Sequence, residues 1–376
     1  MEIRNDYYFI NIGDVFSLSM TLIQNGEEKE TVSLKMPPVE PGKTAVVDIP
    51  FEWGNKEAYL TVQAVQLAED RGIEKGSVLC QEQLELVPYS PKDFEVEEGK
   101  SIIDDGDNII LEGGGIVASV EKKSGDIVSV KKNGLELISE HIKPNFWRAP
   151  TDNDYVPQVG RLFKALLGVY FYKRTTKDMV LSNIKVKDKS VEVKWSSSRM
   201  PVLTAIYEAG KDGIRVSLKC RGIIFGLPRF GFKAKFNLSD DVAFYGRGPH
   251  ENYCDRKTGA FLNTYRGKVE DFDHGYLYPQ ENGNHCDVRW LKVGGDNGLT
   301  FEALSKPFEC SCHKYSLEAL ENATHLHELN SEEDGVYVYI DGAQRGVGGD
   351  LPAIAVTKRR YKILPNKTHQ FEFIIK

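Results

Sequence analysis

Short runs of alternating apolar and polar residues recur along almost the whole of this 376-residue chain. The side chains of a β-strand point to its two faces in turn, so a period of two predicts strands with one buried face. Turn pairs such as Asn25-Gly26 and Asn133-Gly134 separate the runs, and Asn-Gly pairs favour the tight connections of β-hairpins. Helical spacing occurs in two segments. We therefore predict an all-β protein.

The composition changes between Pro88 and Lys100, where prolines and glutamates replace the alternating pattern. We predict a domain boundary there, with a linker at residues 91–102. Residues 1–90 show six short strand patterns without a helical segment, which is typical of an immunoglobulin-like β-sandwich. These strands are predicted at residues 7–10, 15–22, 31–34, 44–49, 58–67 and 80–87.

The second predicted domain, residues 103–376, is also dominated by strand patterns. A sheet of this size hides its edges by forming a sandwich of two broad layers or by closing on itself. The clearest strands lie at residues 109–111, 116–121, 127–131, 191–195, 202–208, 214–220, 229–236, 242–245, 336–340 and 370–375. Two helices are predicted to interrupt it. Ser316 has the residue type of an N-cap and begins a short helix at residues 317–320. The other helix is predicted from apolar residues at helical spacing, which are Val159, Leu162, Phe163, Leu166 and Tyr170.

Charge and composition exclude several classes of partner. The net charge is −7 and no run is rich in Lys and Arg, so nucleic acid is not predicted as a partner. No apolar run approaches the roughly 20 residues that span a bilayer, so no membrane association is predicted. The first residues lack the basic and apolar regions of a signal peptide, and we expect a cytoplasmic protein.

The six cysteines contain no CxxC pair and predict no disulfide framework. Cys310 and Cys312 precede His313, which would suit zinc, but alternation places both thiols on one strand face and no second ligand pair follows. Buried thiols are the favoured interpretation. His325 and His327 have the spacing to share a strand face and bind a metal, although solvated histidines are favoured.

A glycine-rich segment lies at residues 342–350, with the sequence GAQRGVGGD. It contains no G-x-G-x-x-G phrase that opens a helix, and no Lys-Ser/Thr pair follows it, so a phosphate-binding loop is not predicted. We interpret the glycines as positions where the backbone approaches another segment closely.

Three polar loops carry most of the groups that could do chemistry. They are residues 246–253 with the sequence GRGPHENY, residues 278–285 with the sequence YPQENGNH, and residues 148–154 with the sequence RAPTDND. Proline fixes the backbone, and Asn and Gly tolerate turns, so we predict stiff loops. The acceptors of the third loop suit sugar hydroxyls or a hard cation. The candidate site residues are Arg148, Asp152, Asn153, Asp154, His250, Glu251, Asn252, Glu281, Asn282, His285 and Arg289.

The residues alone leave three roles open for the two glutamates. Glu251 and Glu281 could be the acid and nucleophile of a glycosidase, which needs two carboxyl groups around one bond. Either could work with His250 or His285 as acid and base in opening an aldose ring. In the third alternative, both glutamates only pair with arginines and stiffen the loops. The arginines available for this are Arg247, Arg256 and Arg289.

Five phrases occur in a fixed order in the second domain. They are WRAPTDND at residues 147–154, LPRFG at 227–231, YGRGPHENY at 245–253, PQENG at 279–283 and GVGGD at 346–350. Together they resemble the C-terminal part of the large bacterial β-galactosidases of glycoside hydrolase family 2. The resemblance covers about residues 103–376, and the first domain is similar to the immunoglobulin-like domain that precedes this region in the family. It implies a galactose-mutarotase-like supersandwich for the large domain.

The resemblance also implies that the catalytic acid and nucleophile lie on an upstream TIM-barrel domain, in cis or in trans, which this chain lacks. Glu251 and Glu281 would then not be the hydrolytic pair, and no catalytic residue is expected here. The chain alone would be inactive, and its loops would shape the rim of an active site for a β-galactoside and support assembly of the intact hydrolase. No cofactor is expected on this chain. The intact enzyme could bind a divalent or monovalent cation, of unknown identity, and is expected to be a homo-oligomer.

Two departures from the family pattern stand out. Family members carry a Trp shortly after Gly-Gly-Asp that stacks on the sugar, whereas residues 351–353 here are Leu-Pro-Ala, so another residue or subunit is expected to form that wall. Tyr155 and Val156 stand where a glycine hinge is expected. Two alternative functions remain: a stand-alone aldose 1-epimerase (mutarotase), and a non-catalytic carbohydrate-binding module.

Overall fold

The computed structural model describes residues 1–96, 102–154, 169–197, 200–221, 223, 226–330, 334–349 and 357–376. Strands dominate these residues, so the prediction of an all-β chain is confirmed. The chain folds into two compact units. The first comprises Met1–Ser90 with Leu262–Thr264, and the second comprises Pro91–Phe261 and Tyr265–Lys376. No helix in the described residues is long and apolar enough to cross a bilayer.

The first unit is a small β-sandwich. Its elements are β1 (Glu2–Arg4), α1 (Ile12–Val15), β2 (Phe16–Gln24), β3 (Glu27–Lys35), β4 (Thr44–Val46), β5 (Ala58–Gln66) and β6 (Val78–Val87). One sheet has the order β3-β2-β5-β6, and β1 pairs with β4 in the other. Leu18, Met20 and Leu22 are alternate residues of β2 and lie in one core, against which Ile3 and Ala45 of the smaller sheet pack. The period of two in β2 therefore selects the face that is buried.

Residues 7–10 were predicted as a strand, and this prediction is wrong. The buried side-chain amide of Asn5 donates to the carbonyl oxygens of Ile10 and Val39 at 2.8 and 2.7 Å. Its Oδ1 accepts from the backbone N–H of Tyr7 at 2.9 Å. A polar side chain thus satisfies the backbone groups locally, and the segment forms a loop in spite of its apolar residues.

The second unit is built from two broad antiparallel sheets. Its strands are β7 (Ile103–Asp105), β8 (Asn108–Gly113), β9 (Ile116–Glu121), β10 (Ile127–Lys132), β11 (Leu135–Glu136), β12 (Ile138–Asn145), β13 (Val180–Lys187), β14 (Ser190–Ser197), β15 (Met200–Gly210), β16 (Gly213–Arg221), β17 (Arg229–Phe236), β18 (Asp241–Gly248), β19 (Phe261–Lys268), β20 (His285–Val288), β21 (Trp290–Val293), β22 (Leu299–Ala303), β23 (Phe308–His313), β24 (Val336–Gln344) and β25 (His369–Ile375). The described strands of one sheet follow the order β20-β23-β24-β17-β12-β10-β9-β8-β7, with β11 beside β10. Those of the other follow the order β13-β14-β15-β16-β25-β22-β21-β18-β19.

Aromatic residues fill the space between the two sheets. Phe230 of β17 lies edge-on to Phe371 of β25 with 5.6 Å between ring centroids, and Phe232 lies 5.9 Å from Phe373 in the same arrangement. Sheet-on-sheet packing of this kind makes the unit a sandwich, one of the two solutions that its size allows. Because side chains alternate along a strand, Arg229 points to the opposite, outer face of β17.

The turns follow the dipeptides that predict them. Asn25 and Gly26 have φ of 50° and 80° between β2 and β3, and Asn133 and Gly134 have φ of 53° and 79° between β10 and β11. Both residues of each pair occupy the left-handed region that a type I′ hairpin requires.

Helical segments are short. They are α2 (Val169–Lys177), α3 (Val269–Phe272) and α4 (Leu317–Asn322), with 3₁₀ turns at Asp152–Asp154, Gly295–Asn297, Leu326–Glu328 and Arg359–Tyr361. The prediction for Ser316 is confirmed, since its hydroxyl accepts from the N–H of Ala319 at 3.1 Å. The helix predicted from Val159 to Tyr170 lies outside the described residues except at its end, where α2 begins. Residues 155–156 and 350–353, which carry the two departures from the family pattern, also lie outside them.

The thiol and histidine motifs have ordinary structural places. Cys310 and Cys312 are buried in β23, and both are free thiols. His325 and His327 are exposed beside the 3₁₀ turn, so the solvated state is confirmed and the shared strand face is wrong. No group of three or more His, Cys, Asp or Glu side chains in the described residues could hold a metal ion.

Candidate functional site

The three predicted polar loops come together with a fourth segment, and we call this assembly the loop cluster: residues 146–154, 246–255, 278–286 and 344–349. Backbone hydrogen bonds join the first three. Asn252 N donates to Asn284 O at 2.7 Å, and Glu281 N donates to Ala149 O at 3.3 Å. Segments that lie far apart in sequence are therefore in direct contact.

The buried side chain of Asn252 holds the loop at residues 246–253 in place. Its side-chain nitrogen donates to the carbonyl oxygens of Arg247 and His250 at 2.9 and 3.0 Å, and its oxygen accepts from Cys286 N at 2.8 Å. Asn284 returns the contact by donating to Asn252 O at 2.8 Å. Both asparagines are fully buried. Their side-chain amides therefore satisfy backbone N–H and C=O groups that a neighbouring strand would satisfy in a sheet.

Glu281 belongs to a buried ionic triad on the outer face of β17. Arg229 lies 2.9 Å from Glu281 Oε1 and 2.8 Å from Asp341 Oδ2, and all three side chains have no exposed surface. Burial alone would lower the pKa of Arg229, but the charges of Asp341 and Glu281 outweigh it and the pKa is raised. The guanidinium also lies over the ring of Tyr339, 4.9 Å from its centroid. Glu281 is therefore held in place by a permanent cation.

Arg148 is the cation that holds the RAPTDND loop in place. It forms a two-point contact with Asp154, with Nε to Oδ2 at 2.9 Å and Nη2 to Oδ1 at 3.0 Å. Nη1 reaches Gln344 Oε1 at 3.1 Å and Nη2 reaches Gly346 O at 3.3 Å. Burial raises the pKa of Asp154, yet the charge of Arg148 more than offsets this and holds the pKa below its usual value. Arg148 thus connects the RAPTDND loop to the glycine-rich segment.

The glycine-rich segment closes around one carboxylate. Asp255 accepts from Val347 N at 3.0 Å and from Gly348 N at 2.8 Å. A Cβ at Gly346 would lie closer than 3.0 Å to the Asp255 carboxyl group, so a larger residue there would displace this carboxyl group from its present position. The predicted close approach of the backbone in this segment is confirmed.

Glu251 is also buried and bound. It pairs with Arg256 and accepts from Tyr276 Oη, and its second oxygen accepts from Gly283 N at 2.9 Å. His285 is buried with Nδ1 2.9 Å from Arg247 O, and burial lowers the pKa of the imidazole to about 4. Neither side chain is free to exchange protons with a sugar.

The predicted arginine pairs are found in part. Arg256 holds Glu251, and Arg247 holds Asp287 at 2.6 Å. Arg289 donates to the carbonyl oxygen of Asp287 and lies over the ring of Tyr245. For Glu281 the partner is Arg229, which was not among the arginines predicted from sequence.

The exposure of the predicted site residues divides them into two sets. Asp152 and His250 are exposed and Asn153 is half-buried. The side chains of the others are buried in the loop cluster or beside it: Arg148, Asp154, Glu251, Asn252, Glu281, Asn282, His285 and Arg289. The arrangement favours the third alternative, in which the glutamates stiffen the loops. It does not favour a glycosidase or epimerase acid–base pair, because such a pair must touch the substrate.

The loop RAPTDND does not fit a cation in the described structure. Both oxygens of Asp154 face Arg148, and Asn153 donates its amide to Val347 O at 2.8 Å. Asp152 remains as the exposed carboxylate of the loop. Cation binding by oxygen ligands needs several that converge on one point.

Four residues of the site were missed from sequence: Arg229, Asp341, Gln344 and Glu309. Arg229 stands in the LPRFG phrase, which was a usable signal. Asp341 and Gln344 follow the apolar run of β24, where a polar end gives little indication of burial. Glu309 lies in β23 and accepts from Asn284 Nδ2 at 3.0 Å and from Gln344 N at 3.3 Å.

We expect Glu309 to make stability depend on pH. Burial of its carboxyl group raises the pKa from 4.5 to about 7, although the bonds from Asn284 and Gln344 oppose this. The folded state therefore binds the proton more tightly than the unfolded state, and stability is lost as the pH rises from about 4.5 to about 7. Glu309→Gln should raise the free energy of unfolding by about 1 to 2 kcal/mol at about pH 8, with little change at about pH 4.5.

Urea unfolding of the two proteins at both pH values checks this. The matched control is Glu140→Gln, an exposed glutamate of β12, which should change nothing at either pH. A Glu309→Gln variant that is equally destabilised at both pH values would contradict the expectation.

Comparison with known proteins shows which family this chain belongs to. The family described as "Beta galactosidase small chain" matches residues 112–375, and that described as "Beta-galactosidase, domain 4" matches residues 1–87. This chain belongs to the β-galactosidase small-chain family. The loop cluster falls inside the small-chain region, and the first unit corresponds to the domain 4 match.

The similar relatives are longer proteins. A β-galactosidase of Priestia megaterium is 28% identical over 384 residues, which cover 100% of this chain and 37% of the relative. A β-galactosidase of Halalkalibacterium halodurans is 30% identical over 353 residues, covering 88% of this chain and 34% of the relative. The small-chain region and domain 4 together thus span little more than a third of these relatives.

Among solved structures, a galactose mutarotase-related enzyme of Lactobacillus acidophilus is similar in part. It is 12% identical, with a TM-score of 0.44, and the match covers 72% of this chain and 96% of that one.

Proposed function

We propose that this small-chain protein is the C-terminal part of a β-galactosidase and that its loop cluster forms part of the rim of the active site. The bond-breaking carboxyl groups would lie on a catalytic TIM-barrel domain, in cis or in trans. A β-galactoside would be the substrate of the complete enzyme. The task of the present chain would be to hold several loops in fixed positions against that domain.

One observation carries this proposal. The five phrases that resemble the family are widely separated in sequence, yet each contacts at least one other. Arg148 reaches Gly346 O at 3.3 Å, and Arg229 lies 2.9 Å from Glu281. Gly283 N donates to Glu251 at 2.9 Å. A rim must be rigid to position a sugar, and buried charge-assisted hydrogen bonds supply rigidity.

The exposed members of the cluster are the ones that could face a sugar. Asp152 and His250 present a carboxylate and an imidazole at the surface. Asn153 is half-buried and its amide is occupied by Val347 O at 2.8 Å. We assign Asp152 and His250 as rim contacts and the buried set as their support.

The pure chain should not hydrolyse an aryl β-galactoside. The reason is that Glu251 and Glu281 are buried and paired, so neither carboxyl group is available to act on a glycosidic bond. Release of nitrophenol by the purified chain measures this directly. Turnover that disappears in Glu281→Gln would overturn the proposal.

A chimeric enzyme tests whether this chain can support activity when a catalytic domain is present. The corresponding C-terminal region of the Priestia megaterium relative is replaced by this chain, and aryl β-galactosidase activity is expected to persist. Arg148→Ala in the chimera should lower kcat/KM more than Arg266→Ala, which removes an exposed arginine of β19. Equal activity of the two variants in a folded chimera would count against a role for the loop cluster at the rim.

A further inference from the structure

A cavity of about 580 Å³ lies in the second unit, lined by residues of β12, β14, β17 and α2 and by the turn after β9. Its volume falls within the range of small-molecule sites, and Trp147 is the one residue of the loop cluster among its described lining residues. Two tryptophans, Trp147 and Trp195, are among its lining residues. The cavity therefore offers both aromatic surface and polar groups.

The lining is rich in lysine. The lysines are Lys123, Lys143, Lys173, Lys177 and Lys233, and the carboxylates are Glu121, Asp126 and Glu318. Glu321, which does not line the cavity, pairs with Lys173, so the other four lysines face the three carboxylates with one positive charge in excess, in a protein whose net charge is −7. An excess of positive charge in a concave site attracts anions even when the molecule as a whole repels them.

Several of these cations lack a close anion. Among the described residues, Lys123, Lys143 and Lys177 form no ion pair within 4 Å, although the charge of Lys143 acts on the carboxyl group of Asp126. Lys233 is half-buried, and its ion-pair partner Glu318 is 3.5 Å away. Burial lowers the pKa of Lys233 in spite of Glu318, which means that this ammonium is incompletely compensated.

An orphan donor stands beside these lysines. Trp147 is 2% exposed, and its indole Nε1–H has no hydrogen-bond partner among the described residues. Lys173 Nζ lies over the same ring, 4.6 Å from its centroid. Trp147 therefore contributes its ring to the wall of the cavity, next to an ammonium group of the lining.

We propose that this cavity binds a dianionic phosphate group, either as free phosphate or as the ester of a monosaccharide. Lys143 and Lys177 supply charge from β12 and from the end of α2, and Lys233 supplies it from β17. Trp147 lies beside them and reports on the site through its ring. A phosphate has enough acceptor oxygens to bind several ammonium groups together, and unlike a neutral sugar it also balances their charge.

The test is a titration of the full chain at low ionic strength. Calorimetry measures the heat of binding, and ¹⁵N NMR measures the shifts of the indole N–H signals. The four tryptophans give four indole signals, and Trp147→Phe identifies the one that belongs to Trp147. The probes are inorganic phosphate, galactose 6-phosphate and galactose, with chloride at matched ionic strength. Both phosphates are expected to give heat and to shift the Trp147 signal at millimolar concentration, whereas galactose and chloride should do neither.

Matched variants locate the binding. Lys143→Gln combined with Lys177→Gln should weaken binding at least about tenfold, because each contributes charge-assisted contacts. Lys219→Gln, an exposed lysine of β16 that does not line the cavity, should bind as the wild type does. Tighter binding of galactose 6-phosphate than of phosphate assigns the sugar ester, and equal or weaker binding assigns free phosphate.

Two results would overturn the proposal. One is the absence of heat and of any Trp147 shift with both phosphates in the folded protein. The other is equal weakening by the cavity variant and by Lys219→Gln, which would indicate general charge screening and no defined site.

Discussion

Arg229→Ala should cost about 3 to 5 kcal/mol of the free energy of unfolding, because it leaves two buried carboxylates without their cation. Glu281 Oε1 and Asp341 Oδ2 lie 2.9 and 2.8 Å from the guanidinium, and none of the three side chains is exposed. Urea unfolding followed by tryptophan fluorescence measures the loss. Arg266→Ala removes an exposed arginine and should stay within about 0.5 kcal/mol of the wild type.

A triple variant separates charge from packing. Arg229→Met with Glu281→Gln and Asp341→Asn removes the guanidinium and both carboxyl groups at similar volume, so it should recover part of the loss seen in Arg229→Ala. If the triple variant is no more stable than Arg229→Ala, the triad acts through shape and not through charge. A loss in Arg229→Ala no larger than in Arg266→Ala would contradict the expectation entirely.

Gly231→Ala should be comparably damaging, at about 3 kcal/mol or more. A Cβ at this position in β17 would lie closer than 3.0 Å to Asp341 Oδ1, to Ile340 O and to the α-carbon of Asp341. Two of these atoms are backbone of the neighbouring β24 and cannot rotate away. The substitution therefore has to move β24 or displace Asp341 from Arg229.

Gly259→Ala is the matched control. A Cβ there meets no atom within 4 Å, and its φ is not in the left-handed region, so the variant should be neutral or slightly stabilised. Thermal unfolding of both variants gives the comparison. The expectation fails if Gly231→Ala melts within the error of Gly259→Ala.

The strands were the part most accessible to sequence reasoning. Their signal is local, since alternation in β2 and the turn pair Asn25-Gly26 each involve only neighbouring residues. The strand predicted at residues 7–10 was wrong because a long-range contact decides the structure there. There Asn5 overrides apolar composition through bonds to Ile10 and to Val39, and Val39 is 34 residues away. Such a partner cannot be read from a short window.

The site was predictable as a set of loops but not as a network. The phrases drew attention to Arg148, Asn252 and Glu281, because Asn, Pro and charged residues cluster visibly in them. Which arginine meets Glu281 depends on how the loop at residues 278–285 packs against β17, and a period of two cannot supply this long-range contact. Burial of the acids was equally hidden, since a carboxylate in a loop is usually solvated.

The position of β25 in the nine-strand order has a consequence for biosynthesis. It is the last described strand, yet it lies between β16 and β22 and pairs with both. Until residues 369–375 leave the ribosome, no described strand of this sheet can join β13 to β16 to the group of β18, β19, β21 and β22. Each group that forms earlier would have one unpaired edge, and completion of this sheet has to await the last segment.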